Sequence, residues 1–375
     1  MRDVKLSIQD VDKIYGHHSK AVHAVKNLSM DVHAGEIVAL LGSSGCGKTS
    51  ILRMIAGFED ISRGSISLAG RVLNRLPPVK RQVAMAFEGY SLYPPLNIRD
   101  NMAFALKASK LSAPEIAKKV GEIAEMLEIG DILERFPSSI SGGQQQRASL
   151  GRALIRDAEL HLLDEPMGQL EPQLRTLLRG RIKHFIKSKG LTAILVTHDQ
   201  AEANALADRI AVMEDGTLQQ FDSHTAIKNQ PANLFSGTFV GEPPMNVFNA
   251  NIVCRDGTLS FELVGSDVCL KYPQVRFSSA VLNALQGRQQ VVLGIRPYAV
   301  KRQAEGVSAT VAVNQWLGDQ SHIAADFAGQ SIILVEHDRA LDKPGDRLSL
   351  HIDPSSLHLF DPVSGMAISH GDSLA

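Results

Sequence analysis

Three cysteines in 375 residues, Cys46, Cys254 and Cys269, are too few and too scattered for a disulfide framework. None forms a C-x-x-C pair or other metal-type spacing, so a reducing compartment fits best. Net charge is scarce too. Lys and Arg number 39 against 40 Asp and Glu, a formal charge of -1, which gives no global case for nucleic acid or an acidic membrane surface. Aromatics are 5% of the chain, and Trp316 is the one tryptophan. No apolar run reaches the ~18 residues of a membrane-spanning helix. The opening stretch, Met1 to Leu6, lacks the apolar core of a signal peptide. What remains is 44% hydrophobic and 21% charged, an ordinary globular balance. The length favours two domains over a single core.

From Leu6 to about Phe239 short apolar strands alternate with amphipathic helices, the pattern of an α/β domain. Residues 36–41 read as a buried strand, and 49–56 as a helix that Gly57 ends. A helical stretch is expected over about 112–136. Ser112 and Glu115 stand at capping-box spacing, with Ile116, Val120, Ile123 and Leu127 on one face. Residues 160–163 and 193–196 are two more buried strands. After Gly241-Glu242-Pro243-Pro244 the character changes to short β-like runs. The turn signals Arg255-Asp256-Gly257, Phe327-Ala328-Gly329 and Pro344-Gly345-Asp346 predict a small barrel of mostly antiparallel strands.

Gly42-Ser43-Ser44-Gly45-Cys46-Gly47-Lys48-Thr49 matches GxxxxGK[ST] in full, between a strand and a helix. Glycines let backbone N–H groups wrap an anion, and the helix start adds partial positive charge. Lys48 would reach the β- and γ-phosphates of a nucleotide, and the Thr49 hydroxyl would bind Mg²⁺, with Ser50 closing the nucleotide-binding run. A chain of this length shows the octet by accident about one time in a hundred. Cys46, inside the loop, has two readings: a thiol whose alkylation blocks the protein unless nucleotide protects it, or a packed and inert side chain.

Such loops serve many nucleotide-binding classes, and three further segments narrow the choice. Ile140-Ser141-Gly142-Gly143-Gln144-Gln145-Gln146-Arg147 resembles the signature sequence of ATP-binding-cassette (ABC) ATPases. Leu160-His161-Leu162-Leu163-Asp164-Glu165-Pro166 and Val196-Thr197-His198-Asp199 follow in that family's order. The resemblance covers residues 1–240. It implies an α/β phosphate-loop ABC ATPase domain with a helical subdomain at about 89–155. It also implies that Asp164 holds Mg²⁺ through water, that Glu165 polarises the attacking water, and that His198 contacts the γ-phosphate. Tyr15 matches the aromatic that stacks on adenine. Ser141, Gly143 and Gln144 would act on ATP bound to a second ATPase subunit, so that two chains sandwich two nucleotides.

In the tail, Gly241-Glu242-Pro243-Pro244-Met245-Asn246, Leu293-Gly294-Ile295-Arg296-Pro297 and His358-Leu359-Phe360-Asp361 resemble ATPases of bacterial carbohydrate importers, including the maltose and glycerol-phosphate systems. That resemblance implies an OB-like β-barrel domain over 241–375 with dimerisation and regulatory roles. It implies two transmembrane permease subunits, a solute-binding protein reached through the complex, and a place on the cytoplasmic face of a bacterial inner membrane. An OB-like tail elsewhere binds oligonucleotides, but this one lacks a basic-aromatic stripe, so no nucleic-acid partner is expected. The solute is expected to be a sugar, polyol or glycerol phosphate, with polyamine and iron importers as alternatives.

Departures from the family pattern stand at three positions. Glu88 occupies the place of a usual glutamine, in a loop that the resemblance assigns to Mg²⁺ binding and, through Tyr90 and Tyr93, to permease docking. Glu171 replaces an aspartate that ends the loop after Glu165. Tyr298 replaces a common acidic residue. Glu88 and Glu171 keep open a second reading, a poorly hydrolysing regulatory subunit beside a better catalyst. A soluble ABC ATPase of translation or repair type would carry two cassettes or a coiled-coil insertion, and this sequence has neither.

Overall fold

Residues 37–42, 160–164 and 193–197 are apolar on both faces, and each forms a strand buried along its whole length. Strands of that kind pair in parallel with both faces covered, and these do. The computed structural model describes residues 3–16 and 21–371, in two compact units of residues 1–224 and 225–375.

The first unit runs β1 (Val4–Tyr15), β2 (Val22–His33), β3 (Ile37–Gly42), α1 (Lys48–Ala56), β4 (Arg63–Leu68), β5 (Arg71–Val72), β6 (Val83–Ala86), α2 (Ile98–Phe104), α3 (Ala113–Met126) and α4 (Gly142–Leu154). It continues with β7 (Leu160–Asp164), α5 (Pro172–Ser188), β8 (Ala193–Thr197), α6 (Gln200–Leu206), β9 (Arg209–Glu214) and β10 (Thr217–Asp222). One sheet has the order β10-β9-β3-β8-β7-β6 and is parallel except for its β10 edge. A second, antiparallel sheet has the order β2-β1-β4-β5. Leu6, Leu28, Leu40, Ile51 and Leu52 belong to one buried cluster, so the apolar face of α1 closes the space between the sheets.

The order of the large sheet decides where chemistry gathers. Strands β3, β8, β7 and β6 are consecutive neighbours, with Leu41 opposite Thr197, Asp164 opposite Val196 and Ala86 opposite Leu163. Their carboxyl ends therefore lie in a row, and open parallel sheets bind ligands at such ends. Four loops emerge there, beginning at Gly42, His198, Glu165 and Phe87.

The helix expected over 112–136 is shorter. Its start is as anticipated: Glu115 accepts from both the N–H and the hydroxyl of Ser112. It ends at Met126 because Glu128 turns into the left-handed region at φ 54°. Arg147 of α4 then takes the carbonyls of Leu127 and Glu128, at 3.0 and 2.5 Å. A buried guanidinium from a distant segment supplies this C-terminal cap, which local periodicity cannot reveal.

Helix α7 (His224–Asn229) leads into the second unit. There α8 (Leu234–Phe239), β11 (Asn246–Arg255), β12 (Thr258–Leu263), β13 (Cys269–Pro273), α9 (Ser279–Leu285), β14 (Gln290–Ile295) and β15 (Val300–Trp316) follow. Strands β16 (Ser321–Phe327), β17 (Gln330–Glu336), β18 (Arg347–Ile352), β19 (Leu357–Phe360) and β20 (Ala367–Ser369) complete it. Two antiparallel sheets, β13-β12-β11-β14-β19-β20 and β17-β16-β15-β18, share a core with Phe248, Phe261, Leu293 and Phe327. The fold is thus a mixed α/β domain followed by a β-rich, OB-like domain, as the sequence anticipates. The turns at Asp256-Gly257 and Ala328-Gly329 have positive φ at both central residues, the primed geometry that suits hairpin twist. Arg296 is buried and donates to the carbonyls of Gly237, Val240 and Lys228. Tyr298 receives the Lys228 ammonium 4.6 Å above its ring, a cation–π contact where an acid would have formed an ion pair.

Candidate nucleotide site

The loop after β3 leaves α1 with an open first turn. Gly47 occupies the cap position at φ 102°, no side chain caps the helix, and no acidic residue stands in the first turn. Helices α2, α4 and α6 are closed by Asn97, Ser141 and Asp199. An uncapped N-terminus with its dipole uncompensated is suited to an anion. The loop also tolerates no side chain at two points. A Cβ on Gly47 would lie 2.4 Å from the Ala24 carbonyl oxygen, and one on Gly42 would lie 2.3 Å from that of Met213. Lys48 is buried and folds back over the loop, its Nζ donating to the carbonyls of Gly42 at 2.7 Å and Ser43 at 2.8 Å.

Cys46 follows the packed one of its two readings. It is 2% exposed, with Sγ 3.6 Å from Lys48 Nζ and packed against Gly42. The thiol is an interior filler of the loop rather than an accessible nucleophile. Tyr15 stands at the loop's flank. Its hydroxyl lies 3.1 Å from Ser50 Oγ, and Lys13 Nζ sits 4.5 Å from its ring centroid.

Asp164, the last residue of β7, is 5% exposed, and its Oδ1 has no hydrogen-bond partner among the described residues. Burial pushes its pKa up to about 6. The carboxylates of Glu88 and Glu165 add to the rise, while Arg53 and Lys48 oppose it. Glu88, two residues beyond the end of β6, thus lies within electrostatic reach of Asp164. The next residue, Glu165, takes φ 45° and donates its N–H to the Val196 carbonyl at 2.9 Å. His198 leaves the neighbouring strand, and its Nδ1 is 2.9 Å from Glu165 Oε1.

Ser141 and Gln144 lock the start of α4 reciprocally. Gln144 N–H donates to Ser141 Oγ at 3.3 Å, and Ser141 N–H donates to Gln144 Oε1 at 3.0 Å. A Cβ on Gly143 would sit 3.2 Å from the Gln169 carbonyl oxygen, so α4 lies close against the loop that follows Glu165. Tyr90 also turns toward α4. Its hydroxyl oxygen would lie 3.2 Å from a Cβ on Gly142, and Arg152 donates to the Ser91 carbonyl at 2.7 Å. Tyr93 instead lines a cavity of about 400 Å³ with Phe104, Arg152 and Met85.

Several residues with structural roles here escaped the motif reading. Arg175 on α5 donates to the Leu170 carbonyl at 3.1 Å and to Asp199 Oδ2 at 3.1 Å, joining the loop after Glu165 to the loop of His198. Thr197 donates to Glu202 Oε2 at 2.7 Å, and burial pushes that carboxyl up to about 7. The D-x-x-E spacing of Asp199 and Glu202 is a capping signal that would have marked the start of α6, since Glu202 N–H donates to Asp199 Oδ1. No comparable local signal marks Arg175.

A protein-family model described as ABC transporter matches residues 25–168, and one described as TOBE domain matches residues 293–360. An uncharacterized ABC transporter ATP-binding protein of Sinorhizobium fredii is 36% identical over 370 residues, covering 98% of this chain and 95% of that protein. An sn-glycerol-3-phosphate import ATP-binding protein of Cereibacter sphaeroides is 37% identical over 365 residues, covering 96% and 99%. A xylose/arabinose import ATP-binding protein of Haloferax volcanii is 37% identical over 377 residues, covering 98% and 96%. Among solved structures, a dimeric ATP-binding cassette in a post-hydrolysis state with ADP and Pi superposes with a TM-score of 0.54 at 25% identity. The match covers 58% of this chain and 98% of that one.

Proposed function

The chain belongs to the ABC transporter ATP-binding proteins, and from that membership we propose that it hydrolyses ATP to drive import of a sugar or glycerol phosphate through partner permeases. The observation that carries this reading is the row of loops at β3, β8, β7 and β6. It sets an open helix start, the Glu165–His198 pair and the unpartnered oxygen of Asp164 beside one another.

The loop of residues 42–50 wraps the phosphates, with Lys48 exchanging its carbonyl partners for phosphate oxygens. Tyr15 supplies a face for the adenine. Glu165 orients and polarises the attacking water, and His198 holds that carboxylate while reaching toward the γ-phosphate. A buried carboxylate oxygen without a donor suits a hard cation. Thr49, Asp164 and Glu88 would hold Mg²⁺, which when bound supplies positive charge against the phosphates. Among the described residues no three His, Cys, Asp or Glu side chains form a metal cage, so the nucleotide would complete the shell.

Ser141, Gly143 and Gln144 would meet ATP on a second ATPase subunit, a reading supported by the dimeric state of the solved cassette. The ATPase domain expected over residues 1–240 takes in α7 and α8, which group with the second compact unit, and the tail over 241–375 is read as a dimerisation and regulatory domain. Among the described residues no helix is long and apolar enough to cross a membrane. Work on a solute therefore falls to two permease subunits and a solute-binding protein, and this subunit would sit on the cytoplasmic face of the membrane. The cavity beside Tyr93 and Phe104, whose rings lie 4.7 Å apart, offers the permease a socket of aromatic and aliphatic surface edged by Lys107, Arg152 and Arg156.

The test is ATP turnover by the assembled transporter in proteoliposomes, with solute-binding protein and either sn-glycerol 3-phosphate or a pentose. Turnover that rises with one solute supports an import motor. Turnover that no permease or solute alters would favour the regulatory-subunit reading.

A further inference from the structure

Gln146 lies in the first turns of α4, is 4% exposed, and makes two hydrogen bonds to one distant turn. Its Nε2 donates to the Glu165 carbonyl at 2.9 Å, and its Oε1 accepts the Gln169 N–H at 3.0 Å. The two partners, one acceptor and one donor, fix which end of the amide is nitrogen. They also make the residue type specific. A carboxylate, an ammonium or an apolar chain cannot satisfy both backbone groups together.

These bonds bracket the turn that begins at Glu165. If α4 and the turn slide apart, a buried donor and a buried acceptor are left bare. Glu165 itself occupies the left-handed region at φ 45°, where a residue other than glycine stays only when its surroundings hold it. Its peptide is held from two sides. The N–H goes to Val196 of β8 and the carbonyl to Gln146 of α4, while His198 holds the carboxylate.

We infer that Gln146 is a positioning residue that fixes Glu165 to α4. The helix that meets one nucleotide through Ser141, Gly143 and Gln144 thereby aligns the water-polarising carboxylate at the other. This rests on the role proposed for Glu165. It adds a mechanical link within one subunit, from the signature helix to the reacting centre, that does not pass through nucleotide. An ångström of displacement at α4 is carried to Glu165 through two bonds, and misplacement on that scale is costly to catalysis.

The test replaces Gln146 with methionine, close in volume but without donor or acceptor, in the full-length protein. Turnover, KM, nucleotide affinity by displacement of a fluorescent ATP analogue, and melting temperature are compared with wild type. The expected result is a kcat lowered about 10- to 100-fold with KM and nucleotide affinity within about threefold. An ATP-bound dimer should accumulate on size exclusion, because nucleotide is bound but turned over slowly. In the double variant with Glu165→Gln, Gln146→Met should lower kcat by less than about twofold more, because both act at one point. Gln146→Asn, whose amide is one methylene short, serves if methionine prevents folding, and it should show the same kcat-specific loss.

A folded variant with kcat within about twofold of wild type overturns the inference. So does a parallel fall of kcat, nucleotide affinity and melting temperature, which would mark a merely structural residue. Glu165→Gln separates this inference from the reading beneath it. If that variant is inactive while Gln146→Met is normal, only the positioning role falls. If Glu165→Gln turns over normally, the role of Glu165 falls and takes this one with it.

Discussion

His198 and Glu165 sit at the ends of neighbouring parallel strands, and imidazole Nδ1 and carboxylate Oε1 meet at 2.9 Å. Each is placed by a different strand, so the contact exists only because β8 and β7 are adjacent. Removing either partner leaves the other unaligned. Glu165→Gln should retain ATP binding and lose at least about 100-fold in turnover, and His198→Ala should also lose turnover with little change in KM. Steady-state ATPase assays on protein freed of contaminating activity check both. Undiminished hydrolysis by Glu165→Gln would remove the assignment.

Glu88 adds negative charge to the space around Asp164. Metal-free ATP should be disfavoured there, and Mg²⁺-bound ATP much less so, because the cation offsets the repulsion. Glu88→Gln should improve metal-free ATP binding by about 3- to 10-fold and flatten the dependence of affinity on Mg²⁺. Titrations of ATP affinity across Mg²⁺ concentrations measure this for both proteins. Superimposable curves would mean that the side chain does not reach the metal site.

Glu171 holds the cap position of α5 with extended φ and ψ, yet its side chain makes no capping bond. Aspartate is one methylene shorter and places an oxygen on the N–H groups of the first turn. Glu171→Asp should therefore stabilise the protein by about 0.5–1 kcal/mol, read as a higher melting temperature. An unchanged melt would show that Pro172 and the preceding loop already set the helix start.

His358 is buried beside His370 and Arg296, and burial with those neighbours pushes its pKa down to about 3. The unfolded chain binds this proton near pH 6.5 and the folded one does not. The stability it contributes is thus intact above pH 6.5 and lost as pH falls below it. By pH 5 the loss amounts to ~2 kcal/mol. His161, wholly buried and also depressed by burial, acts in the same direction. Asp164 and Glu202, both raised, act in the opposite sense as pH falls. The comparison that isolates His358 is therefore wild type against His358→Gln in denaturant melts at pH 7.5 and 5. The variant should show the smaller pH dependence.

Burial ranks the three thiols. Cys254 is exposed, Cys269 intermediate and Cys46 buried. Mass spectrometry after brief iodoacetamide treatment should find label on Cys254 first and on Cys46 last. Rapid labelling of Cys46 would mean that the phosphate loop opens in solution.

The sequence disclosed the parts whose signal is local. The phosphate loop is contiguous, the buried strands are unbroken apolar runs, and the hairpin turns carry residues that tolerate positive φ. Ser112 with Glu115 reads as a capping box and forms one. What stayed hidden is what separate segments make together. Arg147 ends α3 from another helix, and Arg175 ties the loop after Glu165 to Asp199. Gln146 stood in a quoted motif without a role, because its partners lie about twenty residues away across a helix and a strand. The same holds for Cys46. Its position in the loop suggests access, and only packing against Gly42 and Lys48 shows otherwise.

The open first turn of α1 has a thermodynamic corollary. If nucleotide phosphates complete that helix end, as the proposed function has it, nucleotide binding and the stability of the native chain are linked. Ligand that binds the native chain alone stabilises it by RT ln(1 + [L]/Kd), about 2.7 kcal/mol at a hundredfold excess over Kd. Protection from amide exchange on nucleotide binding should then be greatest in the phosphate loop and the first turn of α1. Energy supply and subunit lifetime become linked variables. A starved cell would lose this motor by degradation as well as by want of fuel.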